Sequence, residues 1–368
     1  MRGKIAIMKK VLVAMSGGVD SSVVALLLKE QGYDLVGVTM NLFCGSEAFD
    51  KSCCSMRAAL DAKKVCDQLD IPHYSLNFKD EFKKIVIDDF INEYRQGRTP
   101  NPCIRCNQFL KFDQLLKKAY GLGAQMIATG HYCRISSQFM NKDRSKTPVF
   151  KSLKGKDPKK DQSYVLYRLG QEMLPFTLFP LGEMTKQEVR EIAKKNSLPV
   201  ADKPESQDIC FIEGSDYGSF IKENAPELVK PGKIVDVQGK IVGEHQGIAF
   251  YTIGQRKGIG AHQGQPKYVI RIDVEKNEVV IGSDEQLCQK ELIADDLKFV
   301  SGVVPEELIK VMAKIRYNSQ EATAKLIIEA GKARVIFDEP QRAVTPGQAV
   351  VFYHGEEVVG GGVIEQSI

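Results

Sequence analysis

The chain has 368 residues, of which 43% are hydrophobic, 27% charged and 8% aromatic. This is globular composition with enough apolar material for packed cores; it excludes a fibrous or disordered chain, and at roughly 100–200 residues per domain the length implies two or three domains. The 51 basic and 47 acidic side chains leave a net +4, too small a balance to name a partner by itself.

The nine cysteines divide by compartment. The first fifteen residues have no apolar core followed by a small-residue cleavage site, so a cytoplasmic setting is expected. There thiols stay reduced, and clustered cysteines point to metal, redox or nucleophilic chemistry before structural disulfides. No apolar run approaches the roughly 18 residues that cross a bilayer; Val23 to Leu28 is among the longest, and no membrane span is expected.

In chain order, Val11 to Met15 reads as a buried parallel strand, Ser22 to Gln31 as a helix closed by Gly32, and Leu35 to Met40 as the next strand. Helices are predicted over Met56 to Leu69, Glu81 to Tyr94 and Phe109 to Tyr120, with strands over His73 to Leu76 and Met126 to Thr129. Such alternation predicts an α/β domain with a doubly wound, mainly parallel sheet, which binds ligands at the carboxyl ends of its strands. Thr185 to Glu188 has the spacing of a capping box and opens a helix to about Lys195, the last helix the pattern supports. Beyond Pro231-Gly232 short runs at Lys233 to Val237, Tyr268 to Val274 and Glu278 to Ile281, broken by Gly, Asn and Asp, predict two small β-rich domains. The expected partition is 1–212 for a catalytic α/β domain, 213–281 for a central β-rich domain and 282–368 for a C-terminal β-barrel-like domain.

Between Lys142 and Lys160 lie eight basic side chains against two acidic ones, a local +6 that leaves the rest of the chain at −2. Either this is a solvated loop, or it meets a nucleic-acid backbone, where clustered cations release condensed counterions.

After the first strand comes Ser16-Gly17-Gly18-Val19-Asp20-Ser21-Ser22, running directly into a helix. Two glycines let backbone approach a phosphate, the hydroxyls donate to its oxygens, and the helix N-terminus adds partial positive charge. This is neither the lysine-bearing Walker A sequence nor a dinucleotide fingerprint. The string resembles the pyrophosphatase loop of the N-type ATP pyrophosphatases, which adenylate a carbonyl oxygen or carboxylate. The resemblance implies ATP and gives Asp20 a part in organising Mg2+ and phosphate; a helix-start carboxylate facing the dipole is compatible with this.

Gly97 to Asn107, GRTPNPCIRCN, is a proline-restricted turn before a helix. It sets Cys106 near a helix N-terminus beside Arg105, where a thiol pKa is expected to fall. Cys210, in Ser206 to Phe211, is by its surroundings either a second reactive thiol or a small buried hydrophobe.

With Gly130-His131-Tyr132, Lys160 to Tyr164, Tyr251 to Gly258, Arg316-Tyr317 and Pro346-Gly347-Gln348 following in order, the chain resembles the tRNA-specific 2-thiouridylases over nearly its whole length. That resemblance implies ATP-dependent adenylation of the C2 oxygen of the wobble uridine in tRNA, then sulfur transfer from a Cys210 persulfide. The products would be 2-thiouridine, AMP and pyrophosphate. It implies Cys106 as the partner thiol, forming a disulfide with Cys210 or assisting transfer, and a sulfur-relay protein or cysteine desulfurase as persulfide donor.

By the same resemblance ATP meets Ala14, Met15, Ser16, Gly17, Gly18, Val19, Asp20 and Ser21, with Met40 and Gly130 near the adenosine; Met40 is equally a core position at a strand end. Asn101, Pro102 and Cys103 match the target-base segment. His131, Lys160, Asp161, Gln162, Arg316, Tyr317 and Gln348 match tRNA contacts, His131 being also readable as a structural strand-end histidine.

Well-known members carry aspartate where this chain has Cys103, while others share the cysteine. A carboxylate role is lost there, since a neutral thiol is only a weak donor. The change also creates a Cys103, Cys106 and Cys210 set that could ligate a [4Fe-4S] cluster, although the persulfide route needs Cys106 and Cys210 for itself. Cys53-Cys54 and Cys44 receive no role, and Cys66 and Cys133 are expected to pack in the core. Two other functions fit parts of the pattern: a pyrophosphatase-loop ligase that passes its adenylate to an amine, and an RNA-binding protein with a vestigial nucleotide site.

Overall fold

The computed structural model describes residues 9–42, 56–138, 148–205, 209–212, 216–260 and 266–368. Cys44, Cys53, Cys54, Lys142, Arg144, Lys146, the 206–208 part of the Cys210 motif and the expected boundary at Glu213 lie outside the described residues. The chain divides into two units: the first comprises 1–86, 103–213 and 356–358, the second 87–102, 214–355 and 359–368.

The first unit opens with β1 (Lys10–Ala14), α1 (Val19–Glu30), β2 (Asp34–Asn41), α2 (Met56–Gln68), β3 (His73–Asn77) and the short α3 (Lys79–Phe82). A π-helical segment, Lys83–Ile87, runs on into α4 (Asp88–Arg95), so the single helix expected over Glu81 to Tyr94 is a composite. The next expected helix likewise starts earlier: α5 (Pro102–Arg105), a π-helical Cys106–Gln114 and α6 (Leu115–Gly121) follow without a break. Pro102 suits a first helical turn because its missing N–H has no partner to lose there. Cys106 is therefore one turn inside the helix, not at its N-terminus.

β4 (Met126–Ala128), the hairpin β5 (Cys133–Gln138) and β6 (Val149–Lys154), β7 (Thr177–Leu178) and α7 (Lys186–Lys195) complete the first unit. The sheet order is β3-β2-β1-β4-β7, parallel at every pairing. β1 takes its residues from the core, with Val11, Leu12 and Val13 fully buried, as a doubly covered parallel sheet requires. The strand order reverses between β1 and β4, which opens a crevice at their carboxyl ends. The capping box is present with both arms: Glu188 N–H donates to Thr185 Oγ1, and Thr185 N–H to the Glu188 carboxylate.

Part of the basic stretch is not a loop, because Val149–Lys154 is a strand of the β5–β6 hairpin and also pairs with Glu357 and Val358.

In the second unit α8 (Tyr217–Asn224) corrects the expectation that helices end at Lys195; Asp216 caps it by accepting from Ser219 N–H. Gly218 inside so short a segment masks its helical pattern. β8 (Gly232–Asp236), β9 (Ile241–His245), β10 (Tyr268–Asp273) and β11 (Glu278–Gly282) form a four-stranded sheet in the order β10-β11-β8-β9. Then β12 (Cys288–Phe299), β13 (Ile309–Lys314), β14 (Ala322–Glu329), β15 (Lys332–Arg342), β16 (Ala349–His354) and β17 (Glu357–Ser367) follow in the order β12-β15-β14-β13-β16-β17. Pairing of β12 with β17 closes this set into a barrel around Leu292, Leu326, Val335, Val350 and Phe352.

Candidate active site and its relatives

The phosphate loop leaves β1 at Ala14. Gly17 has φ +67°, and a Cβ there would lie 2.1 Å from the Ala58 carbonyl oxygen on α2, so no side chain fits. Gly130, just beyond β4, is equally constrained: an added Cβ would meet Asp20 Cβ at 2.9 Å and Ser21 N at 3.0 Å. The two glycines draw α2, the β4 exit and the loop together. Within the loop the Ser16 and Ser21 hydroxyls are 3.2 Å apart, and Ser22 Oγ donates to Gly18 O at 2.8 Å. Ser22 thus tightens the turn, leaving Ser16, exposed, at its open side. Backbone N–H groups at the start of α1 with a hydroxyl beside them fit the phosphates of ATP.

Asp20 is held on two sides. Tyr132 Oη donates to its Oδ1 at 2.8 Å, while Lys186 Nζ lies 2.7 and 2.8 Å from its two oxygens. Burial, then the Asp20 carboxylate, raises the Tyr132 pKa and keeps the phenol protonated as a donor. Lys186 also pairs with Glu205 at 3.0 Å, and Glu205 in turn with Lys160 at 2.5 Å. Burial alone would raise the Glu205 pKa, but the two ammonium groups outweigh it and hold the carboxyl below its ordinary value. Elsewhere on the loop Lys203 Nζ donates to Gly17 O at 3.0 Å and to Asp61 Oδ2 at 2.8 Å. Sequence reasoning missed Lys186, Lys203, Glu205 and Asp61, and quoted Tyr132 in the Gly130-His131-Tyr132 motif without giving it a role. Of the other four, Lys186 alone carried a signal, as the first residue after the capping threonine.

Met15 and Met40 are both buried beside the strand ends. Thr39 Oγ1 donates to Met15 O at 2.8 Å and lies 2.9 Å from His73 Nε2, which fixes the β1–β2 spacing under the loop.

Cys106 is buried with 6% of its surface exposed, Cys103 is exposed and Cys210 lies between these extremes. The first unit contains all three. Among the described residues no three His, Cys, Asp or Glu side chains are gathered as metal ligands. Cys66 and Cys133 are packing residues, and burial pushes each thiol up to about 12.

The other sequence-predicted residues divide by what they hold. The His131 ring packs against Phe112 and Phe179 and its Nδ1 lies 2.8 Å from Thr129 Oγ1. Burial, and then the Lys111 charge, takes its pKa well below the usual range, so it is neutral at pH 7. Asp161 accepts from Gly155 N, Ser163 N and Ser163 Oγ, and Gln162 exchanges two hydrogen bonds with the Tyr132 backbone. Lys151 and Lys156 pair with Glu357 and Glu188.

In the second unit Arg316 Nη2 donates to Ile253 O, Ala343 O and Thr345 Oγ1. Tyr317 lies under the Lys314 ammonium. Gln348 Nε2 donates to Thr99 O at 2.7 Å, and Thr99 N–H to Pro346 O at 2.9 Å. The Pro346-Gly347-Gln348 turn therefore brackets the backbone just before Asn101 and Pro102. Gly347, at φ +89°, has Thr99 N only 2.8 Å from where a Cβ would be.

Among the described residues no helix is long and apolar enough to cross a membrane. A family model described as the tRNA methyl transferase HUP domain matches residues 9–214. The tRNA methyl transferase PRC-barrel domain matches 218–283, and the aminomethyltransferase beta-barrel domain 289–364. The tRNA-specific 2-thiouridylase MnmA of Carboxydothermus hydrogenoformans is 53% identical over 367 residues, covering 98% of each chain. Those of Clostridium botulinum (strain Alaska E43) and Acetivibrio thermocellus are 50% and 51% identical, covering 98% and 97% of this chain and 99% of each relative. The solved U34-tRNA thiolase NcsA from Methanococcus maripaludis aligns with a TM-score of 0.34 and 22% identity over 61% of this chain and 70% of that one, a likeness too distant to bear on the site. Identity of this order along the whole chain places the protein in the tRNA-specific 2-thiouridylase family.

Proposed function

We propose that the protein is a tRNA uridine 2-sulfurtransferase that uses ATP to convert the wobble uridine to 2-thiouridine. Full-length similarity to the 2-thiouridylases carries this reading, and the glycine-bounded phosphate loop supports it. Residues 1–212 form the catalytic part, with 213–281 and 282–368 as β-rich partners in tRNA binding.

A urea-like C2 oxygen is a poor leaving group until adenylated. In the first step that oxygen attacks the α-phosphorus of ATP, the bond to the β-phosphate breaks, and pyrophosphate leaves. Ser16, Gly17, Gly18 and the α1 N-terminus bind the phosphates, with preorganised donors facing the charge that develops. Asp20 offers the carboxylate that would hold Mg2+, which supplies charge neutralisation at the phosphates.

In the second step the terminal sulfur of a Cys210 persulfide attacks C2 and AMP departs with the original oxygen. The Cys106 thiolate then attacks the Cys210 sulfur, releasing the thiolated base and leaving a Cys106–Cys210 disulfide. A thiol reductant returns both to the reduced state. Asn101, Pro102 and Cys103 line the target-base segment. Lys160, Tyr317 and the neutral His131 ring face the RNA, whereas Asp161, Gln162, Arg316 and Gln348 shape the backbone around those contacts. A sulfur-relay protein or cysteine desulfurase supplies the persulfide, and the cytoplasm is the compartment that keeps these thiols reduced.

The test is reconstitution with tRNA, ATP and a persulfide donor, reading 2-thiouridine by mass spectrometry together with tRNA-dependent pyrophosphate release. Cys106→Ser and Cys210→Ser each abolish 2-thiouridine while tRNA affinity stays within about twofold. Normal thiolation by either variant overturns that residue's role, and full turnover with an amine acceptor in Cys210→Ser favours an amine-using ligase.

A further inference from the structure

We infer that Thr99 is the positioning residue of the target-base segment: it fixes where Asn101 and Pro102 are presented, and the β modules act on the reaction through it. The inference rests on the proposal that this segment meets the wobble uridine. It deepens that reading by naming the residue through which the β modules contribute to the chemistry and not to RNA affinity alone.

Each polar group of Thr99 is taken by a residue far along the chain. Its N–H donates to Pro346 O at 2.9 Å, its carbonyl accepts from Gln348 Nε2 at 2.7 Å, and its hydroxyl donates to Thr252 Oγ1 at 3.2 Å. The first two partners belong to the barrel and the third to the central β module. Most side-chain hydrogen bonds go to backbone or water, so a hydroxyl-to-hydroxyl bond across 153 residues is a specified contact. Thr252 is itself held in place. Its N–H donates to Gln255 Oε1 at 3.0 Å, and the next carbonyl, Ile253 O, accepts from Arg316 Nη2 at 3.0 Å.

The chain on either side of Thr99 is stiff. Gly97 turns at φ +69° with Val274 Cγ2 only 2.6 Å from where a Cβ would be. Arg98 N–H donates to Glu93 O, and the Arg98 guanidinium pairs with the Glu93 carboxylate at 2.9 Å. After Thr99, Pro100 and Pro102 fix their own φ and restrict the residue before each to extended backbone. With those torsions restricted, a displacement of Thr99 is carried to Asn101 instead of being absorbed on the way. Misplacing a reacting group by about 1 Å costs on the order of 100-fold in rate.

The experiment measures tRNA-dependent pyrophosphate release by the full chain, as kcat and as KM for tRNA, with Mg-ATP affinity read by calorimetry. Thr99→Val keeps the branched shape and both backbone bonds and removes the hydroxyl donor. It is expected to lower kcat by about fivefold or more, with KM for tRNA and Mg-ATP affinity within about twofold of wild type. Thr99→Ser retains the hydroxyl and is expected to keep kcat within about twofold. Thr252→Val is expected to match Thr99→Val, and the double variant to be no worse than either single one, as for one shared bond. Wild-type kcat in Thr99→Val overturns the inference, and so does an equal loss in Thr99→Ser or losses that multiply in the double variant. A fall in Mg-ATP affinity as large as the fall in kcat also overturns it, because it marks a structural role. A wild-type chain that releases no pyrophosphate in response to tRNA refutes the adenylation reading itself, before any variant is compared.

Discussion

Replacing Gly17 with alanine probes the phosphate loop at its tightest point. A non-glycine residue in the left-handed region costs roughly 1–2 kcal/mol. The new methyl would also lie 2.1 Å from the Ala58 carbonyl oxygen and 2.8 Å from its carbon. Both are backbone atoms, so α2 or the loop must shift, and overpacking of this kind costs about 1–3 kcal/mol. The two effects together remove about 2–5 kcal/mol, and with urea slopes of about 1–3 kcal/mol per molar the unfolding midpoint falls by about 1 M or more.

Gly18 is the control. Its φ of −101° is ordinary, and a Cβ there meets only Ser16 Oγ at 3.5 Å, so Gly18→Ala costs about 1 kcal/mol or less as a changed helix cap. Urea unfolding followed by circular dichroism reads the stability of both variants, and calorimetry reads Mg-ATP binding, which Gly17→Ala is expected to abolish. Equal stability of the two variants, or wild-type ATP affinity in Gly17→Ala, refutes the close-approach reasoning.

Three further outcomes are expected. Replacing Lys151, Lys154, Lys159 and Lys160 with neutral residues weakens tRNA binding and flattens its dependence on salt; an unchanged slope assigns these lysines to local ion pairs alone. Arg316→Lys leaves acceptors among Ile253 O, Ala343 O and Thr345 Oγ1 without their donor, lowering stability by about 1–3 kcal/mol with no change in the salt slope, and a slope that falls by about one shows direct phosphate contact. The Glu205 and Asp61 carboxyls are held below their ordinary values by their lysine partners, against the effect of burial. Their pairs therefore stabilise the fold above the unfolded pKa and are lost as pH falls through the depressed folded one. Wild type and Glu205→Gln should accordingly converge in stability as pH drops from about 6 towards 3, and a constant gap across that range excludes the ion pairs as its source.

Local signals accounted for much of this protein. Strand and helix alternation from Val11 onward, the glycine-serine loop and the Thr185 capping box are short-range patterns, and the structure builds each near its expected place. Helix lengths were less legible. The continuity of Lys79 to Arg95 and of Pro102 to Gly121 passes through π-helical segments, whose extra residue per turn shifts the apolar phase on which a sequence reading depends. The +6 stretch looked like a loop because charges hid the strand pattern of Val149–Lys154, a strand made by its partners β5 and Glu357-Val358.

The chemistry divides along the same line. The sequence by itself marked the glycine-serine turn after the first strand as a candidate phosphate loop, because backbone freedom belongs to the residues themselves, whereas the sulfur-carrying roles of Cys106 and Cys210 are what the family resemblance implies. Only the tertiary structure decided that Lys186 and Lys203 meet the loop at Asp20 and at Gly17, that Arg316 and Gln348 hold backbone, and that His131 is a neutral ring. Those properties belong to pairs: an ammonium's partner lies 166 residues away in the case of Lys186 and Asp20, and no local pattern encodes which buried charge will answer another.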